Sequence, residues 1–96
     1  MVVKIIKFYS QTCKPCQVFR PRFDKFKEKY KHIVDFVEVD INQDKESPYL
    51  RKYQLIGVPT VVFLEDDGVD TRVEGIVPYE ELEQKLKLEY SPIKLK

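Results

Sequence analysis

The stretch Ser10–Phe19, SQTCKPCQVF, holds both cysteines of the chain, Cys13 and Cys16, three positions apart with Pro15 between them. Before it, VVKIIKFYS (2–10) is β-branched and aromatic, the composition of a largely buried strand. Alternation puts Val3, Ile5, Lys7 and Tyr9 on one face and Val2, Lys4, Ile6 and Phe8 on the other. Lys7 is the anomaly, a cation inside a strand that reads as buried. After the cysteines, Phe19, Phe23, Phe26 and Tyr30 recur at spacings of four, three and four, one stripe of a helix from Pro15 to about Lys31. Pro15 suits the first turn, where its missing N–H leaves no bond unmade. Cys13 then falls just before the helix and Cys16 in its first turn, while Pro21 lies inside and should kink it.

Outward from this unit, IVDFVEVDI (33–41) reads as a second strand, and SPYLRKYQL (47–55) as a shorter helix with Ser47 as N-cap and Pro48 at its first position. TVVFLED (60–66) and DTRVEGIV (70–77) flank Asp67-Gly68, a hairpin signal that makes them adjacent antiparallel strands. A last helix is expected from about Pro78 to Tyr90, with Tyr79, Leu82 and Leu86 inward, glutamates near its start and Lys85 and Lys87 near its end, in the sense of the helix dipole. SPIKLK (91–96) reads as a loose tail. The order is β-α-β-α-β-β-α, one domain over residues 1–96 with a sheet covered by helices.

With 96 residues the chain suits one core, and 43% hydrophobic against 34% charged residues favours a globular fold over disorder. The formal net charge of +1 gives no reason to expect nucleic acid or an anionic membrane as a partner. The run MVVKIIKFY lacks a small-residue cleavage site and reads as a first strand, not a secretory signal, so a cytoplasmic protein is expected. There isolated thiols stay reduced.

Two cysteines three apart admit three readings. A structural bridge would close a loop of four residues and stabilise by about 2 kcal/mol, against about 3 for a fifteen-residue loop. A structural zinc site needs four ligands, and this chain offers two thiols and the distant His32, so such a site would close only between chains. The redox reading uses every feature: N–H groups at a helix start stabilise an anion on Cys13, Lys14 adds positive charge, and Cys16 can attack a mixed disulfide formed at Cys13. Thiol activation alone accelerates little, because nucleophilicity falls as the thiol becomes more acidic. Something else in the chain must grip the partner disulfide.

A C-x-x-C that ends a strand and opens a helix is a thioredoxin-like signature. Here FYSQTCKPC (8–16), GVPT (57–60) and VEGIV (73–77) occur in the order and approximate spacing of the thioredoxin family. The sequence resembles a thioredoxin or glutaredoxin-like protein over nearly its whole length. The resemblance implies an α/β thioredoxin-like fold, a central four-stranded mixed sheet flanked by three helices. It also implies a protein dithiol–disulfide oxidoreductase in which Cys13 attacks and Cys16 resolves. In GVPT it implies a cis peptide between Val58 and Pro59, with the Val58 backbone pairing an extended substrate segment. Gly75 would let a partner backbone approach, and Thr12, Lys14 and Pro15 would border the site. No bound metal or flavin is expected, since a redox-active Cys13–Cys16 disulfide carries both electrons. The expected partners of this monomer are protein disulfides and, as electron donor, a thioredoxin reductase or glutathione. A glutathione-dependent glutaredoxin-like enzyme is the alternative within the enzyme class, and a non-catalytic thioredoxin-fold binding module the alternative outside it.

The sequence departs from the family pattern at three places. Thr12 stands where tryptophan usually precedes the first cysteine, with Tyr9 at the other tryptophan position, and Lys14 stands where glycine is common. Family members often keep a buried aspartate six residues before the first cysteine and a lysine near it on the adjacent strand. Here those positions are Lys7 and Glu38, the charges exchanged. A Lys7–Glu38 pair beneath Cys16 is therefore expected, with Glu38 or a neutral Lys7 handling the proton of the resolving thiol; the competing expectation is that both side chains snorkel to solvent at a sheet edge.

Overall fold

A computed structural model describes residues 2–55, 57–68 and 70–90, so the expected tail at 91–96 lies outside the described residues. The elements follow the anticipated order: β1 (Val2–Tyr9), α1 (Lys14–Tyr30), β2 (Asp35–Asp40), α2 (Pro48–Lys52), β3 (Thr60–Glu65), β4 (Asp70–Glu74) and α3 (Tyr79–Tyr90). Among the described residues the strands form one mixed sheet in the order β2-β1-β3-β4. β1 runs parallel to β2 and antiparallel to β3, and β3 pairs antiparallel with β4 across a turn where Gly68 takes φ +90°. Only glycine enters that region without steric cost, which is why Asp67-Gly68 marks the hairpin.

Helices cover both faces. On one, Phe19, Phe23 and Phe26 of α1 and Leu82 and Leu86 of α3 pack with Ile5, Val61 and Phe63. On the other, Ile6, Phe8 and Val62 meet Tyr53, with Tyr49 and Leu50 of α2 alongside. The three phenylalanines of α1 are at most 1% exposed. At about 1.5–3 kcal/mol for each fully buried side chain, their stripe is the main force seating α1 on the sheet. Phe26 sits at its centre, edge-on to Phe36, Phe63 and Tyr79. Ser47 caps α2 through its hydroxyl, which accepts from the Tyr49 N–H at 3.2 Å.

Two expectations are corrected. Strict alternation in β1 fails at its start, because the register against β3 shifts between Val2 and Lys4. The irregularity turns Val2 inward beside Ile5, and Val3 is left 40% exposed. Lys7 does not lie at a sheet edge, since β1 runs between β2 and β3; it is buried at 4% exposure.

α1 and α3 are also tied by polar contacts. One carboxylate oxygen of Glu83 accepts from Lys29 Nζ at 2.6 Å, Tyr30 OH at 2.7 Å and Tyr79 OH at 3.2 Å. The Lys29 and Tyr30 hydrogen bonds hold its acid form down at about 2. A carboxyl lowered on folding stabilises above its unfolded value and loses that contribution as pH falls through its folded value. Glu83→Gln is expected to cost about 1–2 kcal/mol in urea denaturation at pH 7. The gap to wild type should narrow below about pH 4.5 and close towards pH 2.

Candidate active site

The end of β1 and the start of α1 set the two sulfurs in unlike surroundings. Cys13 is the N-cap residue, with extended backbone (φ −83°, ψ 116°), and its sulfur accepts the Cys16 N–H at 3.2 Å. Its own N–H donates to the Ser10 carbonyl at 3.2 Å, and its carbonyl accepts from the Gln17 N–H at 3.2 Å. The helix start therefore points a backbone donor at the Cys13 sulfur. Both cysteines are free thiols, Cys13 half-buried and Cys16 buried. Burial, followed by the hydrogen bond with Cys13, pushes the Cys16 thiol up to about 11, while Ser10 backbone and the Lys7 charge act in the opposite direction.

The segment before β3 faces this cap. The Val58–Pro59 peptide bond is cis, and the Cys13 thiol donates to the Val58 carbonyl at 3.6 Å. Pro59 is buried and lines a cavity of about 390 Å³ together with Cys16, Lys7, Tyr9, Arg20 and Glu38. Gly75, at φ +84°, donates its N–H to the Pro59 carbonyl at 2.9 Å, so the end of β4 joins the same place. A Cβ there would meet nothing within 4 Å among the described residues; it is the backbone conformation that calls for glycine.

Thr12, Lys14 and Pro15 are exposed around Cys13, and the Thr12 hydroxyl lies 3.0 Å from that of Ser10. Lys7 and Glu38 are brought together as the sequence suggested. They are register partners on the parallel strands β1 and β2, and Lys7 Nζ stands 3.3 Å from Glu38 Oε1. Lys7 also lies 4.8 Å from the centre of the Phe23 ring and 5.0 Å from that of Tyr9, so its charge is shielded by aromatic faces as well as by the carboxylate.

Three participants escaped sequence reasoning. Lys27 of α1 reaches the second oxygen of Glu38 at 3.0 Å, making one carboxylate the counter-charge of two ammonium groups. Burial would raise Glu38, but the two lysines prevail and hold its acid form below the ordinary carboxylate value. Ser10 is buried, and its hydroxyl accepts from the Thr12 N–H at 3.3 Å and from Asn42 Nδ2 at 2.9 Å, tying the cysteine loop to the end of β2. The one signal for Ser10 and Asn42 was their place at strand ends, where small polar residues cap turns. Among the described residues no cluster of histidine, cysteine and acidic side chains could hold a metal ion.

The thioredoxin family model matches residues 2–88. A thioredoxin from Mycoplasmoides gallisepticum is 31% identical over 83 residues, 86% of this chain and 80% of that one. NADPH-dependent thioredoxin reductase 3 of Arabidopsis thaliana contains a segment 31% identical over 88 residues, 92% of this chain but 15% of the reductase. The crystal structure of Fasciola hepatica thioredoxin superposes with a TM-score of 0.76 at 26% identity, over 90% of this chain and 79% of the other.

The unlike surroundings of the two thiols have a direct chemical readout. With limiting iodoacetamide at pH 7, the reduced protein is expected to carry its label on Cys13, with Cys16 reacting at least about tenfold more slowly. Peptide mass mapping checks this, and equal labelling would contradict it.

Proposed function

The chain belongs to the thioredoxin family and is a thiol–disulfide oxidoreductase; on that premise we propose that it reduces protein disulfides, with Cys13 as attacking and Cys16 as resolving sulfur. The observation that carries the reading is the seat of the Cys13 sulfur, 3.2 Å from a helix-start N–H and 3.6 Å from the carbonyl that precedes cis-Pro59. An anion on Cys13 attacks one sulfur of a substrate disulfide, forming a mixed disulfide and expelling the other sulfur as a thiolate that takes up a proton. Cys16 then loses its proton and attacks Cys13, which releases the second substrate thiol and leaves a Cys13–Cys16 disulfide. Two electrons pass from the dithiol to the substrate.

The grip on the substrate falls to the rim. The Val58 backbone is suited to pair with an extended segment, and Gly75, hydrogen-bonded to Pro59, leaves room beside it for that segment's main chain. Thr12, Lys14 and Pro15, all exposed, form the opposite border. Both sulfurs and this rim come from one chain, which supports a monomer as the working unit.

We assign a thioredoxin reductase as the electron donor and a reducing, cytoplasmic compartment as the setting. What supports the first is the occurrence of a similar segment within a protein named as such a reductase. The second follows from the need of a net reductant for surroundings that return its dithiol. Insulin reduction with dithiothreitol tests the activity: Cys13→Ser should fall to the uncatalysed rate, and turbidity rising equally fast with wild type and variant would favour a binding module. Recycling of the oxidised protein by NADPH and a thioredoxin reductase, but not by glutathione alone, is the expected result for the donor.

A further inference from the structure

The mechanism leaves unexplained a lysine buried in the central strand beside the resolving cysteine. Lys7 and Cys16 line one cavity, and the charge of Lys7 favours the anionic form of that sulfur. The charged or titratable groups around them are few. β1 supplies Lys7 and Tyr9, β2 supplies Glu38, and α1 supplies Cys13 at its cap and Arg20 on the cavity wall. Lys27 holds Glu38 from its other side, and Asp40, the register partner of Tyr9 on β2, and Asp44, just past β2, act on Tyr9. The segment before β3 is represented on the wall by Pro59, which has no charge.

We propose that Lys7 is a positioning residue for the resolving step, its ammonium stabilising the Cys16 thiolate as it forms, while Glu38 anchors that ammonium and does not itself take the proton. The inference rests on the reading of Cys16 as the resolving thiol. Glu38 is a poor base here. Its carboxylate is committed to two ammonium groups at 3.3 and 3.0 Å, which hold its acid form below the ordinary carboxylate value. Lys7 has the opposite character: buried at 4% exposure, it sits where the dielectric is low and a neighbouring charge acts strongly. It is also held from three sides, by Glu38, Phe23 and Tyr9.

The step balances without any added reagent. Cys16 S–H loses its proton to solvent hydroxide, forming water, on the side of the cavity lined by Gln11, Gln17 and Arg20. The sulfur left behind forms the S–S bond to Cys13, the bond from Cys13 to the substrate sulfur breaks, and the departing thiolate is protonated by solvent. Cys13 ends as half of the internal disulfide, and the substrate is reduced.

The test mixes reduced protein with 5,5′-dithiobis(2-nitrobenzoate) in a stopped-flow instrument and follows the coloured thiol. The first release reports attack by Cys13; the second, independent of reagent concentration, reports resolution by Cys16. Lys7→Met is expected to slow the second phase about three- to tenfold at pH 7 and to leave the first within about twofold. The slowing follows from a thiol made less acidic by loss of the neighbouring cation, partly offset by the greater nucleophilicity of its thiolate. Lys7→Arg, which keeps the charge, should restore the second phase, and Glu38→Gln, which keeps an oxygen to hold the ammonium, should slow it less than Lys7→Met does. In wild type the second rate should rise about tenfold per pH unit between pH 6 and 8, since the thiolate is the attacking species. A second phase unaltered in Lys7→Met, or one slowed by Glu38→Gln at least as much as by Lys7→Met and flat with pH, would overturn the proposal. Cys16→Ser separates this from the reading beneath it. If that variant still releases the second equivalent, the resolving role itself is wrong; if it stops at the mixed disulfide while Lys7→Met behaves as wild type, only the role of Lys7 fails.

Discussion

The aromatic seam between α1 and the sheet is the constraint from which the site follows. Phe19, Phe23 and Phe26 leave α1 one way to lie across β1 and β3, and burying that stripe fixes where the helix begins. The start of α1 must then stand at the carboxyl end of β1, with three residues of loop between Tyr9 and Cys13. β3 runs antiparallel to β1, so its amino end, where Pro59 leads into Thr60, lies beside that same end. Packing of apolar groups thus brings a sulfur at a helix start to the Val58 carbonyl, without any direct attraction between cysteine and proline being required. A ligand site in the crevice at the carboxyl end of a central strand is the usual outcome for sheets covered by helices.

Much of this was legible in the sequence because it depends on local periodicity. The four-three-four spacing of Phe19 to Tyr30, the Asp67-Gly68 turn and the Ser47-Pro48 helix start each have a short-range physical cause, and each element appears where that cause puts it. The irregularity at Val3 was not legible. An alternating pattern assumes a continuous ladder, and one extra residue in β1 reverses the faces on its amino-terminal side without altering the composition. Lys27 was hidden for a different reason. Its position on α1 was clear, but its reach to Glu38 depends on how α1 lies over β2, which no spacing within the helix reports.

The site divides along the same line. Cys13, Cys16, Val58, Pro59 and Gly75 came from motifs, and the structure gathers them around one cap. The Lys7–Glu38 pair is visible in the sequence as two charges exchanged against the family pattern, and the parallel register makes the two residues neighbours. Ser10 and Asn42 had no such signal, because a serine that accepts two hydrogen bonds from the chain and a distant amide looks in sequence like any loop serine. Their effect is nonetheless close to the chemistry, since Ser10 also accepts the Cys13 N–H and so helps set the conformation of the cap.

Two identical thiols on one turn of helix must act in a fixed order, and the enclosure of each determines that order. Cys13, half-buried and hydrogen-bonded to the helix start, can meet an incoming disulfide; Cys16, buried behind it, cannot. The same enclosure that keeps Cys16 from premature reaction also opposes its ionisation, because a buried thiolate lacks water. A site of this kind therefore needs some internal source of positive potential or a proton acceptor behind the second sulfur. An acceptor with two lysines already upon it is weak, whereas a lysine whose counter-charge is itself shared with another lysine retains part of its field. The Lys7–Glu38–Lys27 cluster carries two positive charges for one negative, and the surplus lies on the side of the sulfur that must become an anion.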